Sequence, residues 1–514
     1  MGVSGQEAGG NSRVGTLDTD QPKDGMFDTA HLQKDLGQRS VRGAAATLFG
    51  QFTRFALQLG STAALARLLT PADFGLIAMI TAVTGLLGQF KDMGLTMATV
   101  QKRTVTHAQA STLFWINGVL SILLALICVA LAPAVAAFYK EPSLTAIMAV
   151  ISITFIFNGL AAQHLALLRR QMRFSAIAVI EVLGMAFGIL CALALAWAGA
   201  GYWALVALPV GEQVSKGIMT LSVSGWWPGP PRRNSGVRSM FTYGLNVGGF
   251  SLMTYIGRNA DDVLIGRFLG STATGLYTKA YALLMLPINQ VNAPINAVAV
   301  PTLSRLQDDP DRYCDFYYRA VRIIAYLTGP LIVLLAVTAD DLIPFLLGDQ
   351  WTGAVPIFHY LAIASIFQPI LYTAGWVWLS LGRARRLFLW SLFATPAFVA
   401  SFVVGLPWGP EGVALSYAIC VNALTPLGLK FAYMSTDLSL RRTVKTVARP
   451  YGLTLWILVS ALAARQLTGD VAVFTSLVTT IAIAGASAAI LAALHGGIRG
   501  DFRDIMTLIR KTRS

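Results

Sequence analysis

The sequence predicts an all-α polytopic membrane protein of about fourteen transmembrane helices: two pseudo-symmetric six-helix bundles and two C-terminal helices. Three observations carry this expectation. Charged residues make up 12% of the 514 and hydrophobic ones 55%, with mean hydropathy +0.61, an apolar surplus no single soluble core can hold. Lys and Arg alternate along the connections, so that 29 of the 39 fall on one side of the expected spans. Finally, a helix–turn–helix corner recurs at a fixed offset: Arg67, Leu69, Gly75 and Leu76 reappear as Arg267, Leu269, Gly275 and Leu276. A chain that repeats such a corner halfway along is built as two similar halves.

The chain opens on a polar tail, 1–43, without the apolar core of a signal peptide. It is expected to be cytoplasmic and largely disordered, with a short amphipathic piece near 26–36. The apolar runs that follow are 44–69, 73–97, 110–138, 143–166, 175–198 and 201–223, the N-lobe 44–223. A Pro-rich cytoplasmic linker, 224–237, contains WWPGPPRRN. The C-lobe, 238–435, holds 238–258, 272–304, 316–338, 354–380, 386–407 and 411–434. Runs 448–465 and 471–495 have no counterpart and form an appendage, 436–495, before a basic cytoplasmic tail, 496–514.

Further matches extend the repeat. Phe157 and Phe367 lie 210 apart, as do Gly199, Ala204 and Leu205 from Gly409, Ala414 and Leu415. Six spans per half is an even number, so both halves keep one orientation and are related by an axis along the membrane normal. The Lys/Arg-rich side is cytoplasmic, which puts both termini there. The net charge of +14 is thereby topological, and nucleic acid is not an expected partner. Cys128, Cys191, Cys314 and Cys420 show no metal or redox spacing and are expected as free thiols.

Two such bundles enclose a central cavity and work by alternating access. Charge within spans is costly and tends to face a wet path. Arg54 lies about three turns into the first span beside Gly50, Gln51, Thr53 and Gln58; it is a cavity cation or snorkels to headgroups. Lys279 sits in an eighth span rich in Pro287, Pro294, Asn289, Gln290, Asn292 and Asn296. Prolines there are expected to kink or break the helix, and amides suit a polyhydroxyl ligand or inter-helix packing. Candidates for gating or ion coupling are Lys91 and Asp92, Glu181, the Glu212/Lys216 pair at i,i+4, and Arg258, Asp261 and Asp262. Their plainer readings are an interfacial pair, a packing hydrogen bond, self-neutralisation and, with Arg267, a salt-bridged corner. Trp226, Trp227, Trp351, Trp376, Trp378 and Trp408 fall at span ends and are read as an interfacial belt.

The second corner, Asp262-Val-Leu-Ile-Gly-Arg-Phe-Leu-Gly270 through Gly275-Leu-Tyr277, Ala280-Tyr281, Leu286-Pro287 and Pro301-Thr-Leu-Ser-Arg305, resembles the Wzx-type polysaccharide exporters. The first corner, Ala66-Arg-Leu-Leu-Thr-Pro-Ala-Asp-Phe-Gly75, matches their N-terminal pattern, and the likeness spans about 40–435. Within the multidrug/oligosaccharide-lipid/polysaccharide superfamily it is most similar to colanic-acid and succinoglycan exporters. The resemblance implies a flippase for undecaprenyl-pyrophosphate-linked oligosaccharide repeat units in a bacterial inner membrane, working among membrane lipids and polysaccharide polymerase or export machinery. By their location Arg54 and Lys279 are the candidates to meet the pyrophosphate. No Walker A motif is present, so no cofactor is expected, and an H+ or Na+ gradient is the expected drive. A drug/cation antiporter of the same superfamily is the first alternative; a membrane polymerase, ligase or glycosyltransferase is the second, and lacks an extramembrane catalytic domain here.

Overall fold

A computed structural model of the protein describes residues 36–90, 96, 99–100, 105–232, 238–468, 472–501 and 503. The first half holds α1 (Leu36–Leu68), α2 (Pro71–Gly88), α3 (His107–Tyr139), α4 (Ser143–Ile151), α5 (Ile153–Arg170), α6 (Phe174–Trp197) and α7 (Trp203–Ser224). The second holds α8 (Arg238–Arg305), α9 (Pro310–Val337), α10 (Ala339–Leu347), α11 (Ala354–Ser365), α12 (Gln368–Ser380), α13 (Ala384–Gly405) and α14 (Gly409–Tyr433). Helices α15 (Leu440–Thr468) and α16 (Val473–Leu494) follow.

Each expected span coincides with a helix, one arm of a helix, or a bent pair. Among the described residues nine helices are long and apolar enough to cross a membrane, ten when the α11–α12 pair, bent by 43°, counts as one. Three of the nine are composites: 143–170 joins α4 to α5, 255–305 folds at a corner, and 384–433 joins α13 to α14. Leu190, Leu455 and Ile419 are among many large apolar side chains left exposed. In a chain of this composition such faces meet lipid.

Local chemistry sets the corners. Helix α2 starts with Pro71, whose missing N–H costs nothing in a first turn. Ahead of it Thr70 and Asp73 form a capping box, the Thr70 N–H donating to the Asp73 carboxylate at 2.9 Å. Thr106 and Gln109 start α3 the same way. The second corner sits inside α8, which folds into arms 238–269 and 271–305 at Gly270, φ 86°, a conformation that suits glycine.

Several expectations need correction. Helix α1 begins at Leu36, within the stretch expected to be disordered tail, because Ala44–Ala46 favour helix and the adjoining span supplies the nucleus. The expected 26–36 amphipathic piece lies outside the described residues apart from Leu36. The eighth span is not broken: arm 271–305 stays helical through Pro287, Pro294 and Pro301, flanked by α9, α11 and α12. The tryptophans divide. Trp227 and Trp408 are exposed, whereas Trp226, Trp351, Trp376 and Trp378 are buried anchors whose rings pack inside the protein.

The helices of each half pack chiefly on one another: α6 on α7 and α1 on α6 in the first, α13 on α14 and α11 on α14 in the second. Helix α15 rides on α9 and carries α16. The halves meet mainly where α2 crosses α8. There one core cluster draws on both, with Leu65, Ala66, Leu69 and Phe74 against Ile265, Tyr277, Ile343, Leu347, Trp351 and Phe358. That end of the molecule is the corner end; the opposite one carries the Arg clusters and is the basic end.

The linker is fixed to the first half at the basic end. Trp226 Nε1 donates to His107 Nδ1 at 3.1 Å, Gly229 N to Ser111 Oγ at 2.9 Å, and Trp115 Nε1 to Gly229 O at 2.9 Å. Beyond α16, buried Asp501 accepts from Arg322 at 2.6 Å and from the Tyr326 hydroxyl at 2.9 Å, with Arg449 at 3.6 Å. The C-terminal segment is thus tied to α9 and α15.

Candidate functional site

Arg54 and Glu181, read separately from the sequence, form one pair: Arg54 Nη1 donates to Glu181 Oε2 at 2.8 Å, across α1 and α6. Gly50 permits this approach, since a Cβ there would stand 3.0 Å from the Cβ of Ala178. The pair faces a pocket of about 330 Å³ shared with Thr47, Gln51 and Arg169. Side chains 39% and 34% exposed leave both groups reachable by water. Arg169 makes no ion pair among the described residues. It therefore leaves the pocket with a net positive charge. The sequence offered no signal for Arg169, because its Arg169-Arg170 cluster is already explained by topology.

Lys279 lies in the other half and in another setting. A rise of about 1.5 Å per residue puts Arg54 roughly 20 Å from the corner and Lys279 roughly 12 Å. Helical side chains lean toward the N-terminus of their helix, which for arm 271–305 is the corner. Lys279 accordingly reaches back, and its Nζ stands 4.0 Å from the centre of the Phe74 ring on α2. Phe74 in turn meets Trp351 edge to face, centroids 5.3 Å apart. Arg54 and Lys279 hence do not share one site here.

The amides of arm 271–305 do not converge either. Asn289 and Gln290 are exposed, while Asn292 is buried with its Oδ1 unpaired. Exposed Asn296 accepts from Trp376 Nε1 at 2.5 Å. Glu212 and Lys216 pair along α7, pressed by Gly184 and Gly188 of α6, which matches the self-neutralising reading. Lys91 and Asp92 lie outside the described residues.

The salt-bridged corner is corrected. Among the described residues no ion pair joins Arg258 or Arg267 to Asp261 or Asp262. Arg258 is exposed, and Arg267 lies over the rings of Phe138 and Phe268. Asp261 is buried, accepting from the Tyr277 hydroxyl at 3.1 Å and from the Asp262 N–H at 3.0 Å. Hydroxyl and amide donors thus replace the expected guanidinium at Asp261; Arg258, although i,i+3 and i,i+4 from the two carboxylates, does not close on them, and Arg267 is drawn onto the phenyl rings instead.

The corner end is sealed. Gly75 and Gly275, equivalent in the repeat, are where α2 and α8 cross: the backbone of Ser271 fills the space a Cβ of Gly75 would need, and that of Pro71 the space of Gly275. Below them Tyr255 donates to Thr81 O at 2.9 Å. Beside them Ser271 donates to Glu141 at 3.3 Å. The described contacts between the halves thus gather at the corner end, with the polar faces of α1 and arm 271–305 running from it toward the basic end. Sequence reading supplied the glycines as repeat marks but not their meeting, and passed over Phe74.

Residues 64–356 match a family model described as "Polysaccharide biosynthesis protein". The chain is 29% identical over 370 residues to the teichuronic acid biosynthesis protein TuaB of Bacillus subtilis (strain 168), covering 71% of this chain and 76% of the relative. It is 22% identical over 430 residues to the lipopolysaccharide biosynthesis protein WzxC of Escherichia coli (strain K12), covering 82% and 85%. Among solved structures it is similar to the lipid II flippase MurJ in an inward closed conformation, TM-score 0.68 at 13% identity, covering 88% of this chain and 99% of that one.

Proposed function

Since this chain belongs to the polysaccharide biosynthesis protein family, we propose that it is a secondary transporter that flips lipid-linked oligosaccharide repeat units across the bacterial inner membrane. Relatives named for teichuronic acid and lipopolysaccharide biosynthesis support a cell-surface polysaccharide precursor as the cargo. The observation that carries the reading is the seal at the corner end: two halves closed there by Gly75 and Gly275, with the polar faces of the described residues leading away from it. Alternating access needs such a closure.

In this reading the basic end and both termini are cytoplasmic, so the seal is periplasmic and the cargo enters from the inner leaflet. A diphosphate–sugar headgroup carries negative charge and many hydroxyls. Arg169 and Arg54 at the Glu181 pocket receive the diphosphate first, and Lys279, nearer the seal, receives it later. Asn289, Gln290 and Asn296 offer donors and acceptors to the sugars between them. The transporter draws on an H+ or Na+ gradient, with Asp261 and Asp262 as the carriers, because Glu181 and Glu212 are already paired with cations. No cofactor takes part. The polysaccharide polymerase is the partner that consumes the flipped unit.

The net positive charge of the pocket that Arg54, Glu181 and Arg169 share disfavours the drug/cation antiporter, whose cargo is itself cationic. The test is to delete the gene and follow the precursor. Lipid-linked repeat units should accumulate in the cytoplasmic leaflet and surface polysaccharide should fall; normal polysaccharide with changed drug tolerance would turn the assignment to the antiporter.

A further inference from the structure

The end of α1 is capped by the other half of the molecule. The last carbonyls of a helix lack intrahelical partners and need donors from elsewhere. At α1 the local donors are spent elsewhere: the Thr70 N–H, which would reach Ala66 O, goes to the Asp73 carboxylate, the Asp73 N–H, which would reach Leu69 O, goes to the Thr70 hydroxyl, and Pro71 has no N–H at all. Instead the short helical turn Asp349–Trp351, after α10, reaches across. Gln350 Nε2 donates to Ala66 O at 2.6 Å and to Leu69 O at 3.0 Å, and Trp351 Nε1 donates to Ala66 O at 2.9 Å. Arg67 reciprocates by donating to Phe345 O on α10. Trp351 is fully buried, its ring held against Phe74 and Phe74 against the Lys279 ammonium.

We propose that Gln350 and Trp351 are the latch of the corner-end seal, and that Lys279, through Phe74, releases it when an anionic headgroup arrives. The first half follows from what separation would break. Opening the seal strips the Ala66 and Leu69 carbonyls of three side-chain hydrogen bonds and bares the largest fully buried side chain of the protein, Trp351. These bonds exist only while the halves are together. The second half rests on the diphosphate-linked cargo proposed above. Lys279 belongs to α8 and Phe74 to α2, so their contact is itself a bond between halves. A diphosphate attracts an ammonium more strongly than a ring face does. Its arrival draws Lys279 off Phe74, and the Phe74–Trp351 packing loses its backing. Closure is thereby favoured in the empty transporter and weakened in the loaded one.

The test uses the full chain in lipid nanodiscs, its four native cysteines replaced by alanine, with spin labels at Ala146→Cys on α4 and Thr272→Cys on α8. Both positions are exposed and belong to different halves. Without ligand the parent should give one short distance. Gln350→Ala removes hydrogen bonds alone, and Trp351→Phe keeps a ring on Phe74 while removing the N–H. Each should raise the long-distance population about tenfold, the equivalent of 1.4 kcal/mol. If both leave the parent distribution unchanged, the latch is overturned. Inorganic pyrophosphate should lengthen the distance in the parent and fail to do so in Lys279→Gln. No response of the parent, with Gln350→Ala still opening, would overturn the release step and its diphosphate reading while leaving the latch standing.

Discussion

Replacing Gly75 by alanine tests the crossing of the two halves with the smallest possible side chain. A Cβ there would stand 1.7 Å from the carbonyl oxygen of Ser271, and one at Gly275 would stand 1.8 Å from that of Pro71. Non-bonded contacts to carbon settle at about 3.5 Å, so α2 and α8 must part by about 1.5 Å or more, with backbone on the far side that cannot rotate away. Overpacking of this kind costs about 1–3 kcal/mol. The helix-propensity gain of alanine, about 1 kcal/mol, is the same in the open and closed states, so the closed state bears the whole overpacking cost of about 1–3 kcal/mol. The seal should therefore open at least about fivefold more often. Gly60→Ala is the control, because a Cβ there has nothing within 4 Å and should only stabilise. The assay is the inter-label distance above, read beside surface polysaccharide and membrane levels. Gly75→Ala and Gly275→Ala should widen the seal and lower export at unchanged membrane level. If both behave as Gly60→Ala does, the paired glycines are not the closing contact.

Other consequences can be checked directly. Arg54→Ala should lower the melting temperature little, since a pair this exposed is worth about 1 kcal/mol or less, yet should reduce export. The exchanged pair Arg54→Glu with Glu181→Arg should then recover stability more fully than export, because the cation has moved to α6. Asp501→Ala leaves Arg322 and the Tyr326 hydroxyl without their shared acceptor; a loss of about 3 kcal/mol should appear as a lower melting temperature and faster proteolysis of the C-terminal segment. Trp226→Ala, which empties a buried site and frees the linker from His107, should cost about 3 kcal/mol, whereas Trp227→Ala at an exposed ring should stay within about 0.5 kcal/mol.

The spans were legible because bilayer thickness fixes how long an apolar run must be, and such runs need no tertiary knowledge. Both corners were legible through their repeat, whereas the capping box of Thr70 and Asp73 and the backbone of Gly270 came only with the structure. The repeat exposed Gly75 and Gly275 as equivalent positions. It could not reveal that they touch, because contact between halves is a property of the assembled bundle. For the same reason Arg54 and Glu181 looked like two separate functions when they are one pair bridging α1 and α6. Trp351 was read as an interfacial aromatic because its partner, the uncapped end of α1, lies far away in sequence. A signal was nevertheless present: with Pro71 lacking an N–H and the Thr70 N–H committed to Asp73, the Ala66 carbonyl is short of a local donor, and a distant side chain provides it. The eighth span misled in the opposite direction, since its prolines suggested a break that packing against α9, α11 and α12 prevents.

The most direct test of the account is transbilayer movement by the purified protein. Liposomes with and without it would carry a fluorescent polyprenyl-diphosphate-linked oligosaccharide in the inner leaflet, and a lectin outside would report arrival. Protein-dependent appearance of the sugar, accelerated by an imposed H+ or Na+ gradient and diminished by Lys279→Gln, is the predicted result. No protein-dependent appearance under either gradient, from protein that still exports a cationic dye, would contradict the flippase assignment.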